Sequence, residues 1–187
     1  MDFWKSISNE VKSTQLEFNN QSKTKQLIIG ALFASIAAIF QAAGGLLPGV
    51  GYFISPFATA PVLFCSLLSL PLGIASYVLT NLLLLILQPS ELIVFPFTTG
   101  LLGLGIGVGF FFFKKRVNIV LTGAILLTLG ILSLLYVFHF PVLGPVSSDS
   151  FSTVTTVLIF LFAFIYNWIW VNLGLFIFKR LKRMITS

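Results

Sequence analysis

Charged side chains are spaced along this chain so that long stretches carry none. After Lys25 no charge occurs until Glu91, and after Glu91 none occurs until Lys114. The cluster Lys114, Lys115 and Arg116 opens a third stretch, interrupted only by Asp149 before Lys179, Arg180, Lys182 and Arg183. A bilayer core of about 30 Å takes roughly 20 apolar residues per helical crossing, so each gap has room for at least one crossing. Charged residues make up 9% of the 187, whereas a soluble domain carries about 25% because its surface must be wetted. The expectation is an all-α integral membrane protein. That class excludes soluble enzymes, nucleic-acid-binding modules and disulfide-stapled secreted domains. The single cysteine, Cys65, has no partner for an internal disulfide and reads as a small apolar packing residue.

Turn residues divide the gaps into six spans, predicted at residues 27–47, 52–69, 72–87, 92–113, 117–138 and 153–178. Pro48, Gly49 and Gly51 stop the first; Pro71 and Gly73 mark a tight turn between the second and third; Gln88, Pro89, Ser90 and Glu91 form a polar turn before the fourth. Proline cannot donate to a continuing helix, which makes these positions natural boundaries. A loop over 139–152 precedes the last span. Spanning strands would alternate polar and apolar residues with a period of two, and these runs do not. In lipid a helix satisfies its own backbone groups, so six transmembrane helices are expected. Pro56 and Pro61 predict a break in the outer half of the second helix. Such breaks occur at membrane depth where protein or a water-lined cavity covers the freed carbonyls.

The basic residues give the orientation. With the amino terminus in the cytoplasm and six crossings, all eleven Lys and Arg residues fall on the cytoplasmic side, as the positive-inside rule requires. Both termini are then cytoplasmic, and Glu91, His139 and Asp149 face outward. The net charge of +6 is therefore read as membrane orientation and not as nucleic-acid binding. Three segments follow: a polar amino-terminal segment at 1–26, a six-helix domain at 27–178 and a basic tail at 179–187. In the first segment Phe3, Ile7, Val11 and Phe18 recur at near-helical spacing beside Trp4. This fits an amphipathic helix on the inner membrane surface, and equally a polar tail without fixed structure.

Buried catalysis needs polar groups at depth, and the spans supply few. They contain no Asp, Lys, Arg or His, with Glu91 at an edge. Paired intramembrane aspartates, a Ser–His dyad, a zinc site and a phosphate-binding GxxxxGK[ST] loop are all missing their residues. The chain is expected not to be an enzyme, to need no cofactor and no metal, and not to drive transport by itself. The intramembrane polar groups are chiefly Gln41, Tyr77, Asn81, Gln88, Thr98, Thr99, Asn167, Trp168 and Asn172. Amides in membranes mostly serve helix–helix hydrogen bonds. Their bias toward the outer half, with the broken second helix, marks an outward pocket whose candidate binding residues are Gln41, Asn81, Gln88, Asn167 and Trp168. An apolar, aromatic pocket with a few amides suits a small neutral or partly aromatic molecule. Ala34, Ala38 and Ala42 recur every four residues, and Gly103/Gly107 and Gly105/Gly109 repeat that spacing. Small-residue rows of this kind admit close approach of another helix.

The six-span pattern, with LIIGALFASIAAIFQ running through LLPGVGYFISPFATAPVLFCSLLSLPLGIASYVLTNLLL, resembles the substrate-binding S component of energy-coupling factor (ECF) vitamin transporters. The resemblance covers about 25–183. It implies a multi-pass protein of a bacterial cell membrane that captures a vitamin or related micronutrient outside. It further implies that the AxxxA motif, matched by Ala34 and Ala38 and extended here by Ala42, docks on a membrane-embedded T component coupled to two ATPase subunits. The first external loop, 46–55 here, would help close over substrate. No motif specifies the ligand. The competing class is a polytopic scaffold or assembly protein whose Ala and Gly faces serve association alone.

Overall fold

A computed structural model of the protein describes residues 15–140 and 153–185, with side chains to 177. Among these residues the structure is all helical, and six helices are long and apolar enough to cross a membrane: α1 Lys23–Leu46, α2 Gly51–Leu68, α3 Leu70–Leu87, α4 Glu91–Phe112, α5 Arg116–Tyr136 and α6 Thr153–Ile185, apolar to Ile177. The molecule is a multi-pass membrane protein. Its outer faces carry Leu27, Ile28, Leu32 and Ile39 on α1, Val78, Leu82 and Ile86 on α3, and Leu158, Leu161 and Ile165 on α6, all exposed. In water such a surface drives aggregation. Against lipid it is the matching solvent.

Boundaries follow local chemistry. Ser22 caps α1, its hydroxyl accepting from the Lys25 N–H at 3.4 Å, so this helix starts ahead of the apolar run. Ser69 alone separates α2 from α3, in extended backbone. The expected turn at Pro71 and Gly73 is thus displaced. Both lie inside α3, where a first-turn proline forfeits no helical hydrogen bond and Gly73 lets the helix rest on Ser66. Upstream, a helical turn at 15–19 tucks under this end: Phe18 is buried in the main core, and Gln15 Nε2 donates to the Leu67 carbonyl at 3.0 Å. Phe18 therefore faces the bundle and not a lipid surface. Phe3, Trp4, Ile7 and Val11 lie outside the described residues, as do 141–152 of the predicted loop.

α4 sits at the centre of the packing. Its glycines form two rows: Gly103 and Gly107 lie against Thr59, Val62 and Ser66 of α2, while Gly105 and Gly109 lie against Ile119, Gly123 and Leu126 of α5. A Cβ at Gly103 would stand 2.9 Å from that of Val62, so the absence of side chains sets the interhelical distance. The main core fills the space between α2, α4, α5 and α6, with Leu63, Leu67, Leu102, Ile106, Val120 and Val171 fully buried. A second cluster joins Ala37, Ala38 and Ala42 of α1 to Ala58, Val62, Leu84 and Phe95.

Two helices are broken, both near their first residues. In α2 a 3₁₀ turn occupies Ser55–Ala58, containing Pro56, as the proline spacing predicts. Pro61 falls in the next α-helical segment, Thr59–Leu68. In α4 a 3₁₀ turn at Phe95–Phe97 contains Pro96 and is followed by Thr98 at φ −122° and ψ −99°. The second break was not expected from the sequence. Glycine contacts place the two breaks at one end of the bundle: Gly44 of α1 lies beside both Ser55 and Glu91, and Gly45 lies against Gln88.

Candidate functional site

Where the two breaks meet, the helices part around a cavity of about 810 Å³. Its rim carries Pro48, Tyr52, Ser90 and Phe140; its walls carry Gln41, Ser55, Pro56, Glu91, Thr98 and Thr99; Leu102, Leu127, Ile131 and Tyr166 close the deeper part. At about 1.5 Å per residue, Leu102 lies roughly 16 Å along α4 from Glu91, so the cavity reaches well into the bundle. Both 3₁₀ turns contact or adjoin it, which is the setting where irregular backbone is tolerated at membrane depth.

Gln41 organises the polar wall. The Thr99 hydroxyl donates to Gln41 Oε1 at 2.6 Å, and Gln41 Nε2 donates to Glu91 Oε2 at 2.7 Å. Gln41 is 1% exposed; an amide so buried is costly without partners, and these two bonds join α1 to α4 at two heights. The glycines of α1 make the contact possible. A Cβ at Gly44 would stand 2.9 Å from Glu91 Oε1, displacing the carboxylate. Around this chain stand aromatic rings: Phe162 stacks on Tyr166 at 5.6 Å, and Tyr166 meets Trp170 edge-on at 6.3 Å.

Of the five expected binding residues, Gln41 lines the cavity. Gln88 stands beside its rim, bonded to Ser90 Oγ at 3.1 Å. The other three lie away from its lining. Asn81 Nδ2 donates to the Tyr77 carbonyl one turn back at 2.9 Å. Asn167 is fully buried, donates to the Ala163 carbonyl at 2.8 Å, and presses its Oδ1 onto Gly123 of α5. Trp168 stacks on Phe164 at 6.4 Å. Sequence depth put Asn81 and Asn167 near the right level, but rotation about the helix axis carries them to other faces.

The alanine row is likewise placed inside the molecule. Ala34 and Ala38 are 0% exposed and Ala42 3%; the Thr80 hydroxyl of α3 reaches the Ala34 carbonyl at 3.3 Å. The row is expected to meet a partner chain, yet here it seats α1 against α3 and the start of α2, leaving no open surface for docking.

Glu91, Ser55 and Tyr166 line the cavity without being among the expected binding residues, and Thr99 is expected only as an intramembrane polar group. In sequence Glu91 stands at the edge of a polar turn. Its signal was available: it is the only acid between Lys25 and Lys114. Pro96 followed by Thr98, Thr99 and Gly100 similarly marks the second break. Among the described residues no cluster of His, Cys, Asp or Glu suits a metal ion. In comparisons with known proteins, the chain matches no family model, no curated protein and no solved structure.

Proposed function

We propose that the chain is the substrate-binding membrane subunit of an ECF-type importer, capturing a vitamin or related small micronutrient from outside a bacterial cell. The observation that carries this reading is the cavity of about 810 Å³, open between two broken helices and lined by Gln41, Glu91 and Thr99. Sites for small molecules are concave, largely apolar, about 300–1,000 Å³ and supplied with a few fixed polar groups. The six-helix architecture and the first-helix motif add the resemblance described above. In this reading both termini are cytoplasmic, because Lys23, Lys25, Lys114, Lys115 and Arg116 flank the opposite end of the spans from the cavity, in keeping with the positive-inside rule. The cavity then faces outward. Energy comes from a T component and two ATPase subunits, and the chain itself performs no catalysis. The alanine row, being buried, packs within the bundle in this reading and is not the docking face. The scaffold alternative relied on free Ala and Gly faces, and their internal packing favours capture.

The test is a thermal-shift and calorimetric screen of the purified protein in detergent against water-soluble vitamins. The expected result is one member that raises the melting temperature and binds at unit stoichiometry. A folded protein stabilised by no member of the panel overturns the capture reading.

A further inference from the structure

Resting on the capture reading, we infer that the cavity selects an organic cation: a molecule with a quaternary, ammonium or cationic-heterocycle nitrogen on a partly aromatic body, its charge set against Glu91. Three features of the lining argue for this. First, the hydrogen bonds run one way, from Thr99 to Gln41 to Glu91. Each member donates toward the carboxylate, so the chain ends on an anion and supplies no opposing charge. Second, among the described residues no Lys, Arg or His lines the cavity, and Lys23, Lys25, Lys114, Lys115 and Arg116 flank the opposite ends of their helices. Glu91 Oε2 takes the Gln41 amide, while Oε1 has no donor among the described residues. A carboxylate drawn partly out of water without a countercharge is costly, and a cationic guest relieves that cost. Third, Tyr52, Phe140, Phe162 and Tyr166 surround the same space. Aromatic faces attract cations through the ring quadrupole, and a carboxylate with aromatic walls recognises quaternary and ring-borne charge together.

Other charged guests fit less well. A divalent metal ion takes six or more oxygen ligands from a tight cage, whereas this lining offers one carboxylate, a Gln41 carbonyl already engaged by Thr99, and otherwise neutral hydroxyls spread over its rim and walls. A cavity of about 810 Å³ is also far larger than an ion requires. An anion would meet Glu91 with no basic residue among the described lining to balance it.

The experiment compares charge classes on the wild-type protein and on Glu91→Gln, which keeps the shape and the hydrogen bond with Gln41. Thiamine, 1-methylnicotinamide and choline serve as cations, nicotinamide and riboflavin as neutral probes, and nicotinate, biotin and pantothenate as anions, each titrated calorimetrically into folded protein in detergent. A cation is expected to bind most tightly, with 1-methylnicotinamide above nicotinamide and nicotinate. Glu91→Gln is expected to weaken that cation about 10- to 100-fold, as for loss of the opposite charge from a close, partly desolvated ion pair. Circular dichroism of the variant establishes that it is folded, and the wild-type charge series stands without it. If a neutral or anionic probe binds best, or Glu91→Gln leaves cation affinity unchanged while Gln41→Ala weakens it, the cation inference is overturned and capture survives. If folded wild-type protein binds no probe, the capture reading itself fails and the inference with it.

Discussion

Gln41 is held at both ends of its amide, by Thr99 and by Glu91, and is the one expected binding amide that lines the cavity. Gln41→Ala should weaken ligand binding by about 1–3 kcal/mol, because it removes a polar group of the cavity wall and releases the carboxylate from its set position. Titration calorimetry on folded protein measures this. Asn81 and Asn167 behave differently at the same scale. Each bonds a carbonyl one turn back in its own helix, so substitution by Ala should leave affinity per folded molecule unchanged. Apo stability should fall, by about 0.5–1.5 kcal/mol for the lost hydrogen bond, and further at Asn167, whose side chain fills the space over Gly123. A melting curve without ligand separates the two outcomes, and a weakened affinity in Asn81→Ala would return that residue to the site.

At the level of elements, the bundle depends on helices that touch backbone to backbone. Gly103 and Gly107 set α4 on α2, and the alanine row sets α1 on α3. Overfilling a packed contact costs about 1–3 kcal/mol and more for large side chains. Gly103→Leu should therefore lower the melting temperature sharply, since its Cβ alone would meet Val62 and the Thr59 carbonyl. Ala38→Trp should do the same. Its effect is expected on folding and membrane yield together with binding; normal yield and binding with a selective loss of uptake would show that the row serves a partner after all. The broken helices obey a related rule. Pro56 and Pro61 announced the first break, but Pro61 was absorbed at the start of a new α-helical segment, because early helical positions have no hydrogen bond to lose.

For the molecule as a whole, Lys23, Lys25, Lys114, Lys115 and Arg116 lie at the opposite end from the cavity, which makes orientation measurable. Ser90→Cys, at the cavity rim, should react with an impermeant thiol reagent added to intact cells, and Lys114→Cys should react only after the membrane is opened. Native Cys65 is buried and should remain silent in both. Labelling of Lys114→Cys in intact cells would reverse the proposed orientation and turn the cavity inward.

The order of residues by itself determined that the chain enters lipid, that the described residues hold six helices long and apolar enough to cross it, and nearly where each of them ends. Those properties depend on apolar length, charge position and turn residues, all of which are local along the chain. Ser69 in place of Pro71 and Gly73 as the break between α2 and α3 is the largest departure, and it arose because a first-turn proline is compatible with helix. Which face of each helix meets which neighbour was decided only in three dimensions. The spans are apolar around much of their circumference, so no amphipathic stripe declares the inward side, as it does in a water-soluble helix. Asn81 and Gln41 look alike in sequence, yet one bonds its own helix and the other joins Thr99 to Glu91 across a separation of 58 and 50 residues. The cavity exists because the breaks at Ser55–Ala58 and Phe95–Phe97 fall side by side. That adjacency comes from the glycine and alanine rows that draw α1, α2 and α4 together, and it is a property of the packed bundle.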